Sequence, residues 1–202
     1  MSVELNFCNR CGGRLETRLP PGEHLPRRVC ADCGAVHYQN PKIVAGTLPV
    51  RDGKVLLCRR AIQPRYGWWT LPAGYMENNE TVQHAAARET LEEAGARVAI
   101  RSLYTLFNLP HASQVYMIFL ADLLHEDFAP GPESLEARLF SEAEIPWDEI
   151  AFATIRETLR LYFDERRSGC TSVHLGDIVR PEGVSDSRLS VLGWHHPHRL
   201  LA

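Results

Sequence analysis

The sequence predicts an α/β protein in which a mixed sheet lies between helices, preceded by a small separate ribbon at the N-terminus. Two Cys-x-x-Cys pairs fall in a first segment that is poor in apolar side chains. Several later runs alternate apolar and polar residues, as strands with one buried face do, and segments 81–94 and 147–167 have the character of helices. Strands interspersed with helices indicate a layered sheet. We expect domains at 1–38 and 39–168, and a tail at 169–202.

The composition is that of an ordinary globular protein, with 45% hydrophobic and 23% charged residues. The formal net charge of -3 provides no general attraction to nucleic acid or to anionic membranes. No apolar run approaches the length of a membrane span, and residues 1–7 have neither the basic head nor the apolar core of a secretory signal. We therefore expect a cytoplasmic protein, with neither a membrane nor nucleic acid as its partner.

Four cysteines near the N-terminus have the spacing of a metal site. Cys8 and Cys11 form one pair, Cys30 and Cys33 form the second, and 18 residues separate the two pairs. This spacing falls in the range expected of four-thiolate zinc sites. Two disulfides are the alternative, which a cytosolic setting disfavours. Four thiolates leave zinc no open position, so the sequence predicts a structural Zn2+ that holds the ribbon together.

The second domain is predicted to begin after a linker at residues 37–42 that contains an Asn-Pro pair. Its predicted strands are residues 43–50, 55–60, 97–107, 114–124 and 137–140. The first two are joined by a turn at Asp52-Gly53, a pair typical of hairpins. An acidic loop precedes the last strand, and the helix at 147–167 follows it.

The helix at 81–94 carries an unusual concentration of acidic side chains. Glu89 lies three residues before Glu92 and four before Glu93, so the three carboxylates share one side of the helix. Like charges repel there unless a cation neutralises them, and hard divalent cations prefer oxygen ligands. Arg88 can bridge to Glu80 or hold one of the carboxylates in place. The pattern therefore predicts a divalent metal site in which Arg88 organises the ligands.

The ends of this helix are also marked in the sequence. Thr81 or Asn79 can cap the first turn, and Gly95 stands where a left-handed C-terminal cap is usual. Before the helix, Gly74 ends the run Thr-Leu-Pro-Ala-Gly. A glycine here allows the backbone carbonyl to approach a metal closely, so we include Gly74 in the predicted metal site.

Residues 74–96, GYMENNETVQHAAARETLEEAGA, resemble the signature of the Nudix hydrolases at every charged and glycine position. In that family the helix binds Mg2+ or Mn2+ and the enzyme cleaves a phosphoanhydride in a nucleoside diphosphate derivative. The resemblance implies a Nudix α/β/α sandwich. Thr90 and Ala96 depart from the pattern, which prefers bulky aliphatic residues there, but both positions pack and do not react.

The resemblance also implies a general base that removes a proton from the attacking water. In families of this kind the base is a glutamate of the helix or one from a later loop, so Glu93 and Glu136 are the candidates here. Glu136 is predicted to lie in a loop before a strand, where a mobile carboxylate could reach the metal. The alternative for Glu136 is a surface residue or an ion pair at the strand end.

A zinc ribbon followed by this signature and by the run PGPESLEARLF is similar to plant chloroplast FAD pyrophosphatases and their bacterial relatives. Members of that group hydrolyse FAD to FMN and AMP, and ADP-ribose to AMP and ribose 5-phosphate. Substrate rings need flat apolar surfaces, so Tyr75 and Phe107 are candidate substrate-binding residues, with core packing as the alternative. Arg65 is a candidate for a substrate phosphate. The ribbon is a candidate assembly module, so we expect a homodimer.

Two other functions compete with this one. NADH pyrophosphatases also join a zinc ribbon to a Nudix signature, but they carry an SQPWPF-like run that this sequence lacks. A non-catalytic Nudix-like regulator that senses nucleotides or binds nucleic acid would have lost catalytic glutamates, and these are intact. The histidines of segment 194–198 could bind a transition metal, although a weakly structured tail is more often solvated.

Overall fold

The chain is described by a computed structural model, and the described residues are 5–169, 172–179 and 190–195. Two compact units are present, Met1–Pro41 and Lys42–Ala202. Residues 172–179 and 190–195, which the sequence assigns to a tail, thus contribute to the second unit. None of the described helices combines the length and the apolar character needed to cross a membrane.

The first unit is a small antiparallel ribbon. Its strands are β1 (Leu15–Arg18), β2 (Arg27–Cys30) and β3 (Val36–His37), with β2 in the middle. Its core is minimal, since Cys8, Leu15 and Cys30 are the buried residues of its cluster. So small a core cannot by itself offset the entropy of ordering the segment, which agrees with the predicted need for a metal.

The second unit is built on a nine-stranded mixed sheet. Its strands are β4 (Lys42–Arg51), β5 (Lys54–Arg60), β6 (Trp69–Thr70), β7 (Ala73–Tyr75), β8 (Val98–Leu109), β9 (Gln114–Leu123), β10 (Ser134–Phe140), β11 (His174–Val179) and β12 (Ser190–His195). The order is β10-β5-β4-β9-β8-β11-β12, with β6 beside β5 and β7 beside β4. The β4–β9 and β8–β11 pairs are parallel and the others are antiparallel.

Two helices cover opposite faces of this sheet. On α1 (Val82–Ala94), Ala85 and Ala86 pack with Ala45 and Phe119 of the sheet. On α2 (Ala153–Ser168), Ile155, Leu159 and Phe163 belong to a separate, larger cluster that includes sheet residues such as Leu48 and Leu57. The side chains of Ala45 and Leu48 of β4 thus lie on opposite faces of the sheet, as the alternation of a strand requires. The predicted α/β/α sandwich with a mixed sheet is confirmed.

The second helix begins later than the sequence predicts. Apolar residues recur from position 147, but α2 starts at Ala153. Residues 147–149 form a single 3-10 turn, and Ile150 and Phe152 have extended backbones. The Ala151 N–H donates to the Trp69 carbonyl oxygen at 2.8 Å, so this short segment pairs with β6 instead of continuing the helix. Tertiary pairing here overrides the local periodicity.

The tail joins the sheet through β11. Residues 174–177 pair in parallel with residues 105–108 of β8. A partly buried carboxylate anchors this strand, since Glu165 of α2 accepts from the Ser172 hydroxyl at 2.6 Å and contacts His174 Nε2 at 2.9 Å. Residues 174–179, which lie within the predicted tail, thus form a strand of the sheet. The side chains of the histidine cluster at 194–198 lie outside the described residues.

Candidate active site

Helix α1 is held at both ends, which fixes the direction of its acidic side chains. Thr81 caps the N-terminus, its side chain accepting from the His84 N–H at 3.2 Å. Gly95 closes the C-terminus in the left-handed conformation at φ 60, and its N–H donates to the Leu91 carbonyl oxygen at 2.8 Å. Both roles follow from the sequence, because a hydroxyl suits the first position and a glycine the last.

Arg88 lies at the centre of the acidic face. Its Nη1 donates to Glu89 Oε1 at 2.8 Å and to Glu92 Oε2 at 2.9 Å. Its Nε and Nη2 donate to the two oxygens of Glu80 at 3.1 and 2.8 Å. Nη2 also donates to the Tyr75 carbonyl oxygen at 3.2 Å. Arg88 therefore binds three glutamates and the backbone beside Gly74, an organising arrangement of the kind the sequence predicts.

Glu80 is the carboxylate most firmly tied to Arg88. The paired hydrogen bonds from Arg88, followed by the Glu77 N–H at 2.6 Å, lower the pKa of Glu80 to about 2. A group with this pKa stays ionised at every pH at which the protein would be assayed. Glu80 thus fixes Arg88, and through it the positions of Glu89 and Glu92.

Glu93 differs from the other acidic residues because it is buried, with 8% of its surface exposed. Burial raises its pKa to about 8, and the negative charge of Glu89 adds to the effect. The Ala73 N–H donates to Glu93 Oε2 at 3.3 Å and opposes the rise. A carboxyl with a pKa near neutrality is poised to exchange a proton, which is the property required of a general base.

Gly74 lies directly against Glu89. A Cβ atom at position 74 would come within 2.3 Å of the Glu89 carboxylate, closer than any real contact. Strand β7 brings Gly74 there by pairing with β4, where Ala45 is its partner. Burial raises the pKa of Glu89 as well. The glycine is thus required by close approach, and its backbone lies beside a carboxylate of the predicted metal site.

Glu133 is an acidic neighbour of this site that the sequence analysis does not identify. Its negative charge is one of the lesser causes that raise the pKa values of Glu89 and Glu93. Its loop is held against α1, because the Gly131 N–H donates to the Glu93 carbonyl oxygen at 3.0 Å. The only signal in the sequence is its place in the acidic loop before β10.

Glu136 lies in strand β10, in register with Arg59, and not in the predicted loop. The register of this pair of strands shifts between Ser134 and Glu136. Glu136 follows this irregularity within the strand, whereas Glu133 lies in the loop before the strand. The loop position predicted for Glu136 is therefore wrong, while its role as a base stays a prediction.

The three predicted substrate-binding residues have different environments. Arg65 stacks on Trp68, with its guanidinium carbon 4.7 Å from the ring centroid. Tyr75 is 49% exposed, and its hydroxyl accepts from Gln114 Nε2 at 2.8 Å. Phe107 is 0% exposed and packs in a core cluster with Leu109 and Ile178. The prediction for Phe107 is corrected, because a ring with no exposed surface cannot stack on a substrate.

The four cysteines of the ribbon converge as a metal site requires. Their Sγ atoms all lie within 4.8 Å of one another, and those of Cys8 and Cys33 are 3.8 Å apart. Tetrahedral zinc with bonds of about 2.3 Å places its sulfur ligands at such separations. The Cys33 N–H, donating to Cys30 Sγ at 3.5 Å, is the main cause that lowers the pKa of Cys30 to about 7. The set fits a zinc ion.

Within the described residues, the cysteines are the one set of three or more ligand atoms this close together. The glutamates of α1 share a face of the helix, but their carboxylates have different hydrogen-bond partners. Arg88 holds Glu89 and Glu92, while Glu93 turns towards the Ala73 N–H. A cation that binds here must compete with Arg88 for carboxylate oxygens, so Arg88 helps to set its affinity.

A cavity of about 300 Å3 lies elsewhere, on the face covered by α2. It is lined by residues including Arg101, Tyr104 and Tyr162, and by none of the predicted site residues. Polar groups that line it are already engaged, since Arg101 pairs with Asp122 and the Tyr104 hydroxyl donates to Glu165. The cavity therefore gives no reason to move the candidate site away from α1.

Comparison with known protein families identifies the family to which both units of the chain belong. The NUDIX domain matches residues 40–162, and the Nudix N-terminal zinc-ribbon domain matches residues 6–39. The chain therefore belongs to the Nudix family. Its class is that of a Nudix hydrolase domain joined to an N-terminal zinc ribbon.

Two curated relatives differ in the activity their names describe. An ADP-ribose pyrophosphatase of Methanocaldococcus jannaschii is 28% identical over 54% of this chain and 67% of its own length. The NAD-capped RNA hydrolase NudC of Vibrio cholerae is 32% identical over 79% of this chain. The alignment covers 59% of that protein's own length, so this chain spans little more than half of it.

Solved structures agree on the fold. A NUDIX hydrolase from Nitrosomonas europaea is 57% identical, with a TM-score of 0.85 over 87% of this chain and 100% of that one. An ADP-ribose pyrophosphatase from Streptococcus suis has a TM-score of 0.56 over 67% of this chain and 99% of that one. It is 23% identical, so it shows the shared fold alone.

Proposed function

We propose that the protein hydrolyses the pyrophosphate bond of a nucleoside diphosphate derivative, with ADP-ribose or FAD as substrate, using Mg2+ or Mn2+. The observation that carries this proposal is the acidic face of α1, where Arg88 links Glu80, Glu89 and Glu92 beside the buried Glu93. Such a concentration of carboxylates suits a cation bound together with a polyanionic substrate. The name of the Methanocaldococcus relative supports ADP-ribose.

Glu89, Glu92, Glu93 and the Gly74 carbonyl would hold the cation. When bound, it neutralises phosphate charge and orients water for attack on phosphorus. Arg88 keeps the carboxylates in position, and Glu93, the buried carboxylate of the set, would accept a proton from the water. The new P–O bond forms as the anhydride P–O bond breaks, and the other phosphate leaves with the bridging oxygen.

A second candidate function is hydrolysis of NADH or of NAD-capped RNA. It is favoured by the NudC relative, whose similarity extends over most of this chain. The lack of an SQPWPF-like run argues against it. A panel of ADP-ribose, FAD, NADH and NAD-capped RNA, with Mg2+ or Mn2+ and product identification, separates the candidates. We expect AMP from ADP-ribose or FAD to form fastest, and preferential cleavage of NADH or capped RNA would contradict the proposal.

The general base is a separate question that two matched substitutions address. Glu133 precedes β10 and Glu136 is its third residue, and the charge of Glu133 is among the causes that raise the pKa of Glu93. We therefore expect Glu133→Gln to change kcat more than Glu136→Gln does, and neither to lower kcat as much as substitution of Glu93. Steady-state kinetics of both variants is the measurement. A large loss of kcat in Glu136→Gln would contradict the assignment of the base to Glu93 and favour Glu136 in its place.

We also retain homodimerisation and a cytoplasmic location as proposals. The ribbon contains exposed apolar side chains, among them Phe7 at 62% and Leu25 at 60% exposure, which are suited to burial on association. Light scattering at several protein concentrations tests the dimer. A monomer at all concentrations would contradict it.

A further inference from the structure

Strand β3 places a histidine against the cysteine cluster of the ribbon. His37 is the second residue of β3 and lies opposite Arg28 of β2 in the antiparallel pairing of these strands. This pairing fixes the backbone of β3 beside the strand that ends at Cys30. The His37 side chain is partly exposed, and its Nε2 lies 3.3 Å from Cys8 Sγ. The imidazole is thus at hydrogen-bond distance from one sulfur of the predicted zinc site.

The four sulfur ligands differ in their access to water. Cys8 and Cys30 are 3% and 1% exposed, whereas Cys11 and Cys33 are exposed. A buried thiolate cannot be solvated by water, so it needs hydrogen-bond donors from the protein. The Cys33 N–H donates to Cys30 Sγ, and the Arg10 N–H donates to Cys8 Sγ at 3.4 Å. A backbone donor therefore reaches each of the two buried sulfurs.

His37 adds a side-chain donor at Cys8. Four thiolates carry more negative charge than one Zn2+ neutralises, so the occupied site would retain excess negative charge. A hydrogen bond to an ionised acceptor is stronger than one between neutral groups. Because a zinc-bound thiolate carries no hydrogen, its hydrogen bond with His37 requires Nε2 to be the donor. The imidazole would thus disperse charge from Cys8 Sγ without itself contacting the metal.

We propose that His37 stabilises zinc in the ribbon by donating from Nε2 to the Cys8 thiolate, so that the ion leaves more slowly. Groups that hydrogen-bond to metal ligands typically change metal affinity by about 10- to 100-fold. His37 is a positioning residue here and not a fifth ligand, because four cysteines complete a tetrahedral set. This role rests on the zinc site predicted for the ribbon and not on the activity proposed for α1.

The test is the rate at which zinc passes from the purified full chain to an excess of a chromogenic chelator. His37→Leu removes the donor, whereas His37→Gln keeps an N–H at nearly the same reach from the backbone. We expect His37→Leu to release zinc about tenfold faster than wild type or more, and His37→Gln to recover much of the difference. Release from His37→Leu at the wild-type rate would overturn the proposal.

His24→Leu is the matched control. His24 is an exposed residue between β1 and β2, and within the described part of the ribbon it makes no hydrogen bond to a cysteine sulfur. Its substitution should leave the rate of zinc release unchanged. Equal acceleration in His24→Leu and His37→Leu would indicate a general effect of an added apolar residue and would also overturn the proposal.

A spectroscopic measurement separates a hydrogen bond from general loosening of the ribbon. With Co2+ in place of zinc, the energy of the sulfur-to-metal charge-transfer bands responds to hydrogen bonds at the thiolates. We expect these bands to shift in His37→Leu and to return towards their wild-type position in His37→Gln, with the metal retained in all three proteins. Identical bands in wild type and His37→Leu would contradict the role of His37.

Two results for metal content also bear on the proposal. Loss of the metal from both His37→Leu and His37→Gln would make His37 a ligand, and a wild-type ribbon that binds no zinc would remove the acceptor thiolate; either result overturns the proposal. None of these measurements requires a substrate. Their failure would therefore leave the proposed hydrolysis standing, and a protein that cleaves no dinucleotide would still show the effect of His37 on zinc release.

Discussion

Glu93→Gln is expected to lower kcat by about a hundredfold or more while leaving the fold intact. Glutamine has nearly the size of glutamate and is equally compatible with a helix, and it can still accept from the Ala73 N–H that now contacts Glu93 Oε2. It can neither take up a proton from water nor supply a negative oxygen to a cation. Steady-state kinetics with saturating Mg2+ is the measurement, and near-normal kcat would remove Glu93 from the mechanism.

The same substitution should change the pH dependence of stability. Burial raises the pKa of Glu93 from 4.5 to about 8, so the folded state favours the protonated form. The free energy of unfolding therefore falls as pH rises from about 4.5 to 8, because the unfolded chain ionises first. In Mg2+-free buffer above pH 8, Glu93→Gln should be more stable than wild type by about 2–4 kcal/mol.

Thermal unfolding at pH 6 and pH 9 without added Mg2+ tests this effect while leaving the ribbon's metal in place. Glu92→Gln is a suitable control, since the Glu92 side chain is 56% exposed and its substitution removes no comparable burial penalty. If Glu93→Gln were less stable than wild type at pH 9, burial of the ionised Glu93 carboxylate would not destabilise the folded state, which would contradict the prediction.

Cys30→Ser is expected to abolish zinc binding and to unfold the ribbon. Cys30 is 1% exposed, and together with Cys8 and Leu15 it forms the small core of the first unit. Loss of one thiolate removes most of the binding energy of zinc, which serves here as folding energy. Metal analysis should give less than one zinc per chain, and amide hydrogen exchange should show loss of protection in strands β1 to β3.

Cys58→Ala provides the control for this experiment. Cys58 is 0% exposed, but it packs in the core of the second unit, with Leu56 and Ala94. Its substitution should lower stability by about 1 kcal/mol through lost packing and leave zinc content unchanged. A soluble Cys30→Ser protein that keeps its zinc and the protection of β1 to β3 would contradict a structural zinc site.

Much of the candidate site could be predicted because it is local in sequence. Glu89, Glu92 and Glu93 share one helical face by spacing alone, and Thr81 and Gly95 mark the ends of that helix. The cysteine pairs are equally local, since each pair sits in one tight turn and the spacing between the pairs suits one ion. Local patterns of this kind need no knowledge of tertiary structure.

The remaining features depend on distant contacts. Phe107 and Tyr75 are both aromatic residues near the signature, yet only the packing of β8 against β11 shows that Phe107 is buried. The start of α2 likewise depends on pairing of residue 151 with β6. Burial and cross-element pairing decide these cases, and neither is encoded in a short window.

The most direct test of the central claim is a Mn2+ titration of the purified protein, followed by electron paramagnetic resonance, with ADP-ribose and FAD cleavage measured on the same samples. The structure predicts a bound Mn2+ that is lost in the Glu89→Gln/Glu93→Gln double variant, and cleavage by wild type that requires the metal. A wild-type protein that binds no Mn2+ and leaves both dinucleotides intact would contradict the assignment of the acidic face of α1 as a catalytic metal site.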